Sequence, residues 1–302
     1  MPPDAAQTSD DTALADVVSW FQDQTDMEGR FGTALRRSLD EVIDGQRTGR
    51  YDVRTLEKTE KTYLGTKIEI VIRSEFDLMR GTRLDYRIAD HEVDCKFSLT
   101  GGWTIPQEAV GQLCLLTTAR DHQGTFDIGI IRAVPEVLNV GANQDKKRTI
   151  KSTARRSIVW LTRSAPLPSN LLLTLPPSTV EAIMQPKSGQ QRINELLRQV
   201  QGRVIQRNTA VTVARQQDGL KRCRDARKHL RTEGIVVLGH QNESPIIAQA
   251  LGLPVPPKGA HLAVRLVHAV AEIDRRTVLI DGKHYAVARP ADPVEPAPSI
   301  RC

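Results

Sequence analysis

The sequence predicts a mixed α/β (α+β) protein in two parts, and three observations carry that prediction. Helical periodicity in residues 12–45 gives way to β-branched runs as far as residue 134, and the same helix-then-strand order recurs after residue 177. Between the two series, Ser164-Ala165-Pro166-Leu167-Pro168-Ser169-Asn170 sets paired prolines among small polar residues, a composition that discourages regular structure. Charge divides along the same line. Residues 171–302 hold 19 Lys+Arg against 11 Asp+Glu, a net +8, whereas the remainder holds 23 against 25, a net −2. The expected layout is a disordered tail over 1–11, a first domain over 12–162, a linker over 163–172 and a second domain over 173–302.

Taken in order, residues 12–27 and 30–45 read as helices. The second spaces Phe31, Leu35, Leu39 and Val42/Ile43 along one stripe and stops at Gly45. Asp44–Arg50 reads as a polar loop. Leu56–Phe76 is a long segment of ambiguous type. Leu84–Ala89 and Glu92–Leu99 are β-like runs about a short polar turn, and Gln112–Thr118 and Phe126–Val134 are further strands. Lys146–Arg156 is strongly basic. Beyond the prolines, Pro177–Met184, Gln190–Val200, Thr209–Arg215 and Leu220–Arg231 read as helices. Gly234–His240 reads as a strand, Pro245–Leu251 as a short helix, and Ala263–Val267 and Thr277–Ala288 as strands. Short helices followed by strands is the order of a winged helix, with Gly234–His240 leading into the wing.

Composition narrows the function classes. The chain has 302 residues, 39% hydrophobic and 26% charged, ordinary for a globular protein with a real core. No apolar run approaches the roughly 18 residues of a membrane helix, and Met1–Asp11 is polar and acidic, unlike a signal peptide. The four cysteines, Cys95, Cys114, Cys223 and Cys302, are far apart without a Cys-x-x-Cys pair. That disfavours a zinc ribbon or a disulfide framework and suits a reducing cytoplasm. The basic second half suits a polyanionic partner, although a solvated basic surface explains the charge equally well.

Magnesium-dependent nucleases need several carboxylate oxygens for the ion and a lysine beside the attacking water. Their minimal signature, Asp-x-Lys, occurs three times: Asp94-Cys95-Lys96, Asp145-Lys146-Lys147 and Asp281-Gly282-Lys283. The second lies in the basic, looped stretch, and in the third Asp-Gly between apolar runs signals a hairpin turn. Only the first lies within a strand. There, alternation sends Val93, Cys95, Phe97 and Leu99 to one face and Asp94, Lys96 and Ser98 to the other. In the preceding run Asp85 and Arg87 oppose Leu84, Tyr86 and Ile88. With Asp90-His91 as a two-residue turn, Ala89 pairs with Glu92 and Asp85 faces Lys96, so Asp85, Asp94 and Lys96 share one face. A three-residue loop would send Asp85 to the other side. A solvated polar face of an amphipathic hairpin accounts for the same pattern. Glu69 is a fourth candidate. It is the only acid in Leu64–Ile72, an apolar stretch that fits helix and strand alike, and a carboxylate there is costly to desolvate without a cation.

In the second half, Gly219–Arg231 carries six basic residues against one acid, with Leu220, Cys223, Ala226/Arg227 and Leu230 at helical spacing and Asp218 placed to cap. Lys221, Arg222, Arg224, Arg227, Lys228 and Arg231 are therefore the candidate DNA-contacting residues of a recognition helix. A solvated basic helix is the plainer account.

Several long strings resemble the NaeI family of type IIE restriction endonucleases. They are Asp44-Gly45-Gln46-Arg47-Thr48-Gly49-Arg50, Lys58-Thr59-Glu60-Lys61-Thr62, Val93-Asp94-Cys95-Lys96-Phe97-Ser98, Glu233-Gly234-Ile235, Leu238-Gly239-His240-Gln241 and Gly252-Leu253-Pro254-Val255-Pro256. The likeness runs from about residue 14 to about residue 296. It implies a nuclease domain of the PD-(D/E)xK type with a central mixed sheet, and a winged-helix domain like that of catabolite activator proteins. Glu69, Asp85, Asp94 and Lys96 match the family's catalytic set, while Leu84 stands where the name-giving proline would be. The resemblance further implies Mg²⁺ held by Asp85, Asp94 and the carbonyl of Cys95, with Glu69 holding a water or a second ion. Lys96 would orient the attacking water. It implies a homodimer cutting both strands of a GC-rich, GCCGGC-like palindrome in double-stranded DNA, activated by a second DNA copy. A cognate DNA methyltransferase would protect the host. A DNA-binding regulator without catalysis and a single-strand nicking repair endonuclease are the rival functions.

Overall fold

The computed structural model describes residues 11–142, 144–269 and 274–301. The expected tail falls outside them except for Asp11. That residue caps the first helix, its Oδ1 accepting from Leu14 N at 3.0 Å, and its carboxylate grips Arg132. The chain divides into two compact units, 1–42 with 53–169 and 43–52 with 170–302.

The first unit begins with α1 (Thr12–Gln22) and α2 (Met27–Ile43). The Asp44–Arg50 stretch expected as a loop instead winds into a short helix, α3 (Gly45–Thr48), which belongs to the second unit. The ambiguous Leu56–Phe76 segment is resolved as a helix, α4 (Lys58–Glu75). A capping box explains its start: the Glu57 side chain accepts from the backbone of Glu60, while the Glu60 side chain accepts from Glu57 N at 2.8 Å. Leu64, Ile68, Val71 and Ile72 form its buried stripe. Phe21, Phe31 and Phe76 stack where α1, α2 and the end of α4 meet. Side chains of this size each contribute about 1.5–3 kcal/mol when buried.

The central sheet has six strands, β1 (Met79–Arg80), β2 (Tyr86–Ile88), β3 (His91–Ser98), β5 (Leu113–Arg120), β6 (Thr125–Arg132) and β9 (Val159–Pro166), hydrogen-bonded in that order. It is mixed, since β3 pairs parallel with β5 and the other pairs are antiparallel. Three further strands, β4 (Thr104–Ile105), β7 (Leu138–Ala142) and β8 (Arg148–Ile150), form a second, small sheet in the order β4-β8-β7. Contrary to the linker reading, β9 runs through the first proline. It can do so because β9 is the edge of the sheet, where a missing N–H costs little, and because Asp127 Oδ1 receives Ser164 N at 2.8 Å.

Both faces of the central sheet are covered, and this decides the environment of the site. On one face α1 packs against β6 and β9, and α4 against β3. On the other, Cys114, Leu116 and Ile131 join Trp103, Ile105, Leu138 and Ile158 in a separate core. Gly129 lies on this second face, where an added Cβ would meet Ile158 Cγ2 at 2.5 Å, so only glycine lets that layer close.

The second unit contains α5 (Pro177–Met184), α6 (Gly189–Gln199), α7 (Arg207–Ala214), α8 (Gly219–Leu230) and α9 (Ser244–Ala250). Its strands are β10 (Val204–Ile205), β11 (Ile235–Leu238), β12 (His261–His268), β13 (Thr277–Ile280) and β14 (Lys283–Val287). Asp281-Gly282 forms the expected two-residue turn between β13 and β14, both residues at positive φ. The core draws Ile193, Leu196 and Leu197 from α6, Cys223, Ala226 and Leu230 from α8, and Ile235 and Val237 from β11. Arg192 is buried in this core. Its guanidinium donates to the carbonyls of Val213, Ala214, Pro186 and Lys187 and so satisfies the C-terminal end of α7. Among the described residues, no helix is long and apolar enough to cross a membrane.

Candidate active site

The β2–β3 hairpin sets the site, and its register differs from the one expected. The turn is Ala89-Asp90, both at positive φ, and it pairs Ile88 with His91, Arg87 with Glu92 and Tyr86 with Val93. Continued by one residue, this register brings Asp85 opposite Asp94 rather than Lys96. The displacement is two residues, an even number, so Asp85 keeps the face shared by Asp94 and Lys96.

Tyr86 is the last β2 residue paired with β3. Beyond it, the backbone groups of Cys95 on that side lack a ladder partner and are taken by the site instead. Cys95 N donates to Asp85 Oδ2 at 2.7 Å, and Cys95 O accepts from Lys96 Nζ at 3.1 Å. The same amine lies 2.7 Å from Asp94 Oδ2 and 4.0 Å from Asp85 Oδ2. Two carboxylates and one main-chain carbonyl thus converge on one positive charge.

The face carrying these groups is not the solvated one its alternation suggested. Asp94 is only 4% exposed. The parallel register sets Asp94 beside Cys114 and Lys96 beside Leu116, both members of the second core. Burial drives the Asp94 carboxyl up to about 7, with Lys96 opposing the rise and Asp85 adding to it. Burial alone would lower Lys96, but Asp94 and then Asp85 hold its amine above the ordinary range. Asp94 Oδ2 is enclosed and, although it touches the amine, makes no hydrogen bond of good geometry. The thiol of Cys95 points to the opposite, apolar face, where burial pushes it to about 12.

Glu69 comes from α4. Tyr86, fully buried, donates its hydroxyl to Glu69 O at 2.9 Å and so ties that turn of α4 to the start of the hairpin. The Glu69 carboxyl is raised, first by desolvation and then by Asp85, while Arg73, Lys96 and Arg80 act against the rise. The structure brings Asp85, Asp94 and Lys96 together, while Glu69 feels Asp85 and Lys96 electrostatically and pairs with Arg73 at 3.8 Å.

Sequence reasoning missed Glu92. Its carboxylate accepts from the backbone N–H groups of Thr82, Arg83 and Leu84 at 2.7, 3.1 and 2.9 Å, and these bonds hold it below the usual carboxylate range. Glu92 therefore fixes the loop that delivers Asp85. The expected register pairs Glu92 with Ala89, and no local spacing links its carboxylate to the loop before Asp85, so the sequence held no signal for this role.

Among the described residues, no group of three or more His, Cys, Asp or Glu side chains is arranged to hold an ion unaided. The set offered by Asp85, Asp94 and Cys95 O is all oxygen, suited to a hard divalent cation completed by water and substrate. Its convergence on an ammonium, with one enclosed oxygen lacking a hydrogen bond, fits such a cation. The two other Asp-x-Lys runs fall outside strands, Asp145 in a turn after β7 and Asp281-Gly282 in the β13–β14 turn.

The basic residues of α8 form a different arrangement. Gly219, Cys223, Ala226 and Leu230 are buried, which leaves the polar positions outward. Lys221 pairs with Asp225 at 2.6 Å and Arg222 with Asp218 at 3.1 Å, so Asp218 acts as an ion-pair partner and its side chain makes no capping bond. Arg227 Nε donates to Val237 O at 3.0 Å and Arg231 Nε to Ala297 O at 3.2 Å. Arg224 and Lys228 are exposed.

Comparison with known proteins adds two findings. A family model described as restriction endonuclease NaeI matches residues 16–296. The type II restriction enzyme NaeI of Lentzea aerocolonigenes is 43% identical over 282 residues, which cover 90% of this chain and 89% of that relative.

Proposed function

From the premise that the chain belongs to the NaeI restriction endonuclease family, whose members are type II site-specific deoxyribonucleases, we propose that it hydrolyses both strands of a palindromic site in double-stranded DNA. The first unit acts as a PD-(D/E)xK nuclease and the second as a winged-helix domain that binds another DNA copy. One observation carries the reading: the carboxylates of Asp85 and Asp94 and the carbonyl of Cys95 meet at the Lys96 amine beside an apolar core.

Asp85, Asp94 and Cys95 O would hold Mg²⁺. When bound, the ion neutralises phosphate charge and lowers the pKa of a water to make a nucleophile near neutral pH. Lys96 orients the attacking water and stabilises the charge that develops on the phosphate oxygens. Glu69, with its raised affinity for a proton, holds a water or a second ion at the edge of the cluster. The second core, beside Asp94 and Lys96, lowers the local dielectric and strengthens each of these interactions.

A palindrome suits a two-fold homodimer with one such cluster per strand. The site is GC-rich and GCCGGC-like, a cognate methyltransferase protects the host's copies, and the second duplex bound by α8 of the second unit activates cutting. Supercoiled plasmid incubated with Mg²⁺ tests the reading. Discrete linear fragments are expected; intact plasmid would point to a DNA-binding regulator, and open circles alone to a nicking enzyme.

A further inference from the structure

The second unit holds a cluster of bases that the α8 sequence did not reveal. His261, the first residue of β12, is 6% exposed, and its Nδ1 is enclosed without a hydrogen-bond partner. Three basic side chains act on its ring electrostatically: Arg227 and Arg224, one helical turn apart on α8, and His240, which follows β11. Arg227 is held there by its bond to Val237 O. Its Nη2 stands 3.7 Å from where a Cβ on Gly239 would lie, which sets the guanidinium beside the residue that precedes His240. The β11–β12 register pairs Leu238 with Leu262, which carries Gly239 alongside His261. On its other side β10 presents apolar Ile205. Each charged or titratable group that bears on His261 is a base. Asp225, next to Arg224 in sequence, is turned to Lys221.

Positive groups whose fields meet at a buried ring, with no acid among them, repel one another unless an anion arrives. We propose that Arg224, Arg227, His240 and His261 form an anchoring site for one backbone phosphodiester of the DNA bound by the second unit. The inference rests on the proposed DNA-binding role of that unit and specifies where one phosphate is held. Arg224 and His240 are exposed and reach the phosphate. Arg227 is pre-oriented by the β11 carbonyl, and His261 backs the site as a neutral ring. Burial first, then Arg227, Arg224 and His240, keep its pKa down at about 4. A phosphate beside the arginines offsets their field and raises that pKa. The complex then takes up a proton more readily than the free protein, and affinity falls as pH rises.

The test titrates a short duplex carrying GCCGGC into the full chain with Asp94→Ala, without divalent metal, by calorimetry over a range of salt and from about pH 4 to pH 7, the span that starts at the free His261 pKa of about 4. Stoichiometry resolves two binding events, a first duplex and a second. Arg224→Ala and His240→Ala are each expected to weaken the second binding event about 3- to 10-fold, and Arg224→Ala to reduce its salt slope by about one. His261→Gln, which keeps a neutral polar side chain, is expected to flatten the pH dependence. Thermal melting of each variant reports on folding. A second event that occurs in the parent chain and is unmoved by all three substitutions overturns the phosphate site alone. Absence of a second event in the parent overturns the DNA-binding role of the unit, and the site with it. Inorganic phosphate competing at millimolar concentration as well as DNA would replace the duplex phosphodiester with a free anion as the ligand and overturn the assignment to DNA.

Discussion

The hairpin site in the first unit and the basic helix in the second use charge in opposite ways. Around β3, two acids and a lysine are drawn together beside an apolar layer, a third acid, Glu69, feels them electrostatically, and desolvation raises Glu69 and Asp94. Along α8, charges stand at the surface, where Lys221 and Arg222 are partnered by acids one turn away and only the apolar stripe is buried. Burial makes a charge expensive and reactive, and exposure makes it cheap and additive. The first arrangement suits chemistry on one bond. The second suits a polyanion met at many points.

The largest expected effect breaks the first cluster. Asp94→Ala or Lys96→Ala should lower cleavage by about 10³-fold or more, as loss of an electrostatic stabiliser does, while gel-shift binding of the duplex without metal persists. Removing Mg²⁺ with a chelator should do the same reversibly. Unchanged cleavage by Asp94→Ala would make the hairpin an ordinary polar face.

Acidification comes next. Only the ionised Asp94 carboxylate can hold a cation, and its carboxyl is raised to about 7. Cleavage should therefore fall about tenfold per pH unit on the acid side of its pKa, and more Mg²⁺ should move the midpoint to lower pH, because the cation competes with the proton. A flat profile between pH 5 and 8 would separate catalysis from Asp94. Glu69→Gln should cost less, about 10- to 100-fold, since Glu69 approaches the cluster from its edge on α4.

Stability offers a subtler contrast. Asp94 binds a proton more tightly folded than unfolded, so the metal-free fold gains from protonation and loses that gain as pH rises from about 4 to 7. Asp94→Asn should therefore raise the melting temperature of the metal-free chain at pH 8, by about 2–4 °C for each kcal/mol recovered. A fall would mean that the pairing with Lys96 outweighs desolvation. Lys228→Ala should leave melting unchanged and reduce the salt slope of DNA binding by about one.

Legibility of the sequence followed the range of the forces involved. The alternation in Val93–Leu99 and the stripe Leu220, Cys223, Ala226 and Leu230 could be read because each reflects one element's own periodicity, and both elements formed where expected. The α3 turn was hidden by polar residues that read as a loop, and the start of α4 by an ambiguous apolar pattern. Glu92 and His261 were overlooked because their roles depend on partners that local spacing does not name.

The sequence by itself determined which residues alternate and which face they share. The shift of the hairpin by two residues left Asp85 beside Asp94 and Lys96 because side-chain direction repeats every second residue. Only the tertiary structure decided that this face is covered. Cys114 lies 20 residues from Asp94 in the chain and beside it in the sheet, and no local pattern encodes such a neighbour. Solvation, and with it the affinity of a carboxylate for protons and cations, depends on what the rest of the chain brings up against it.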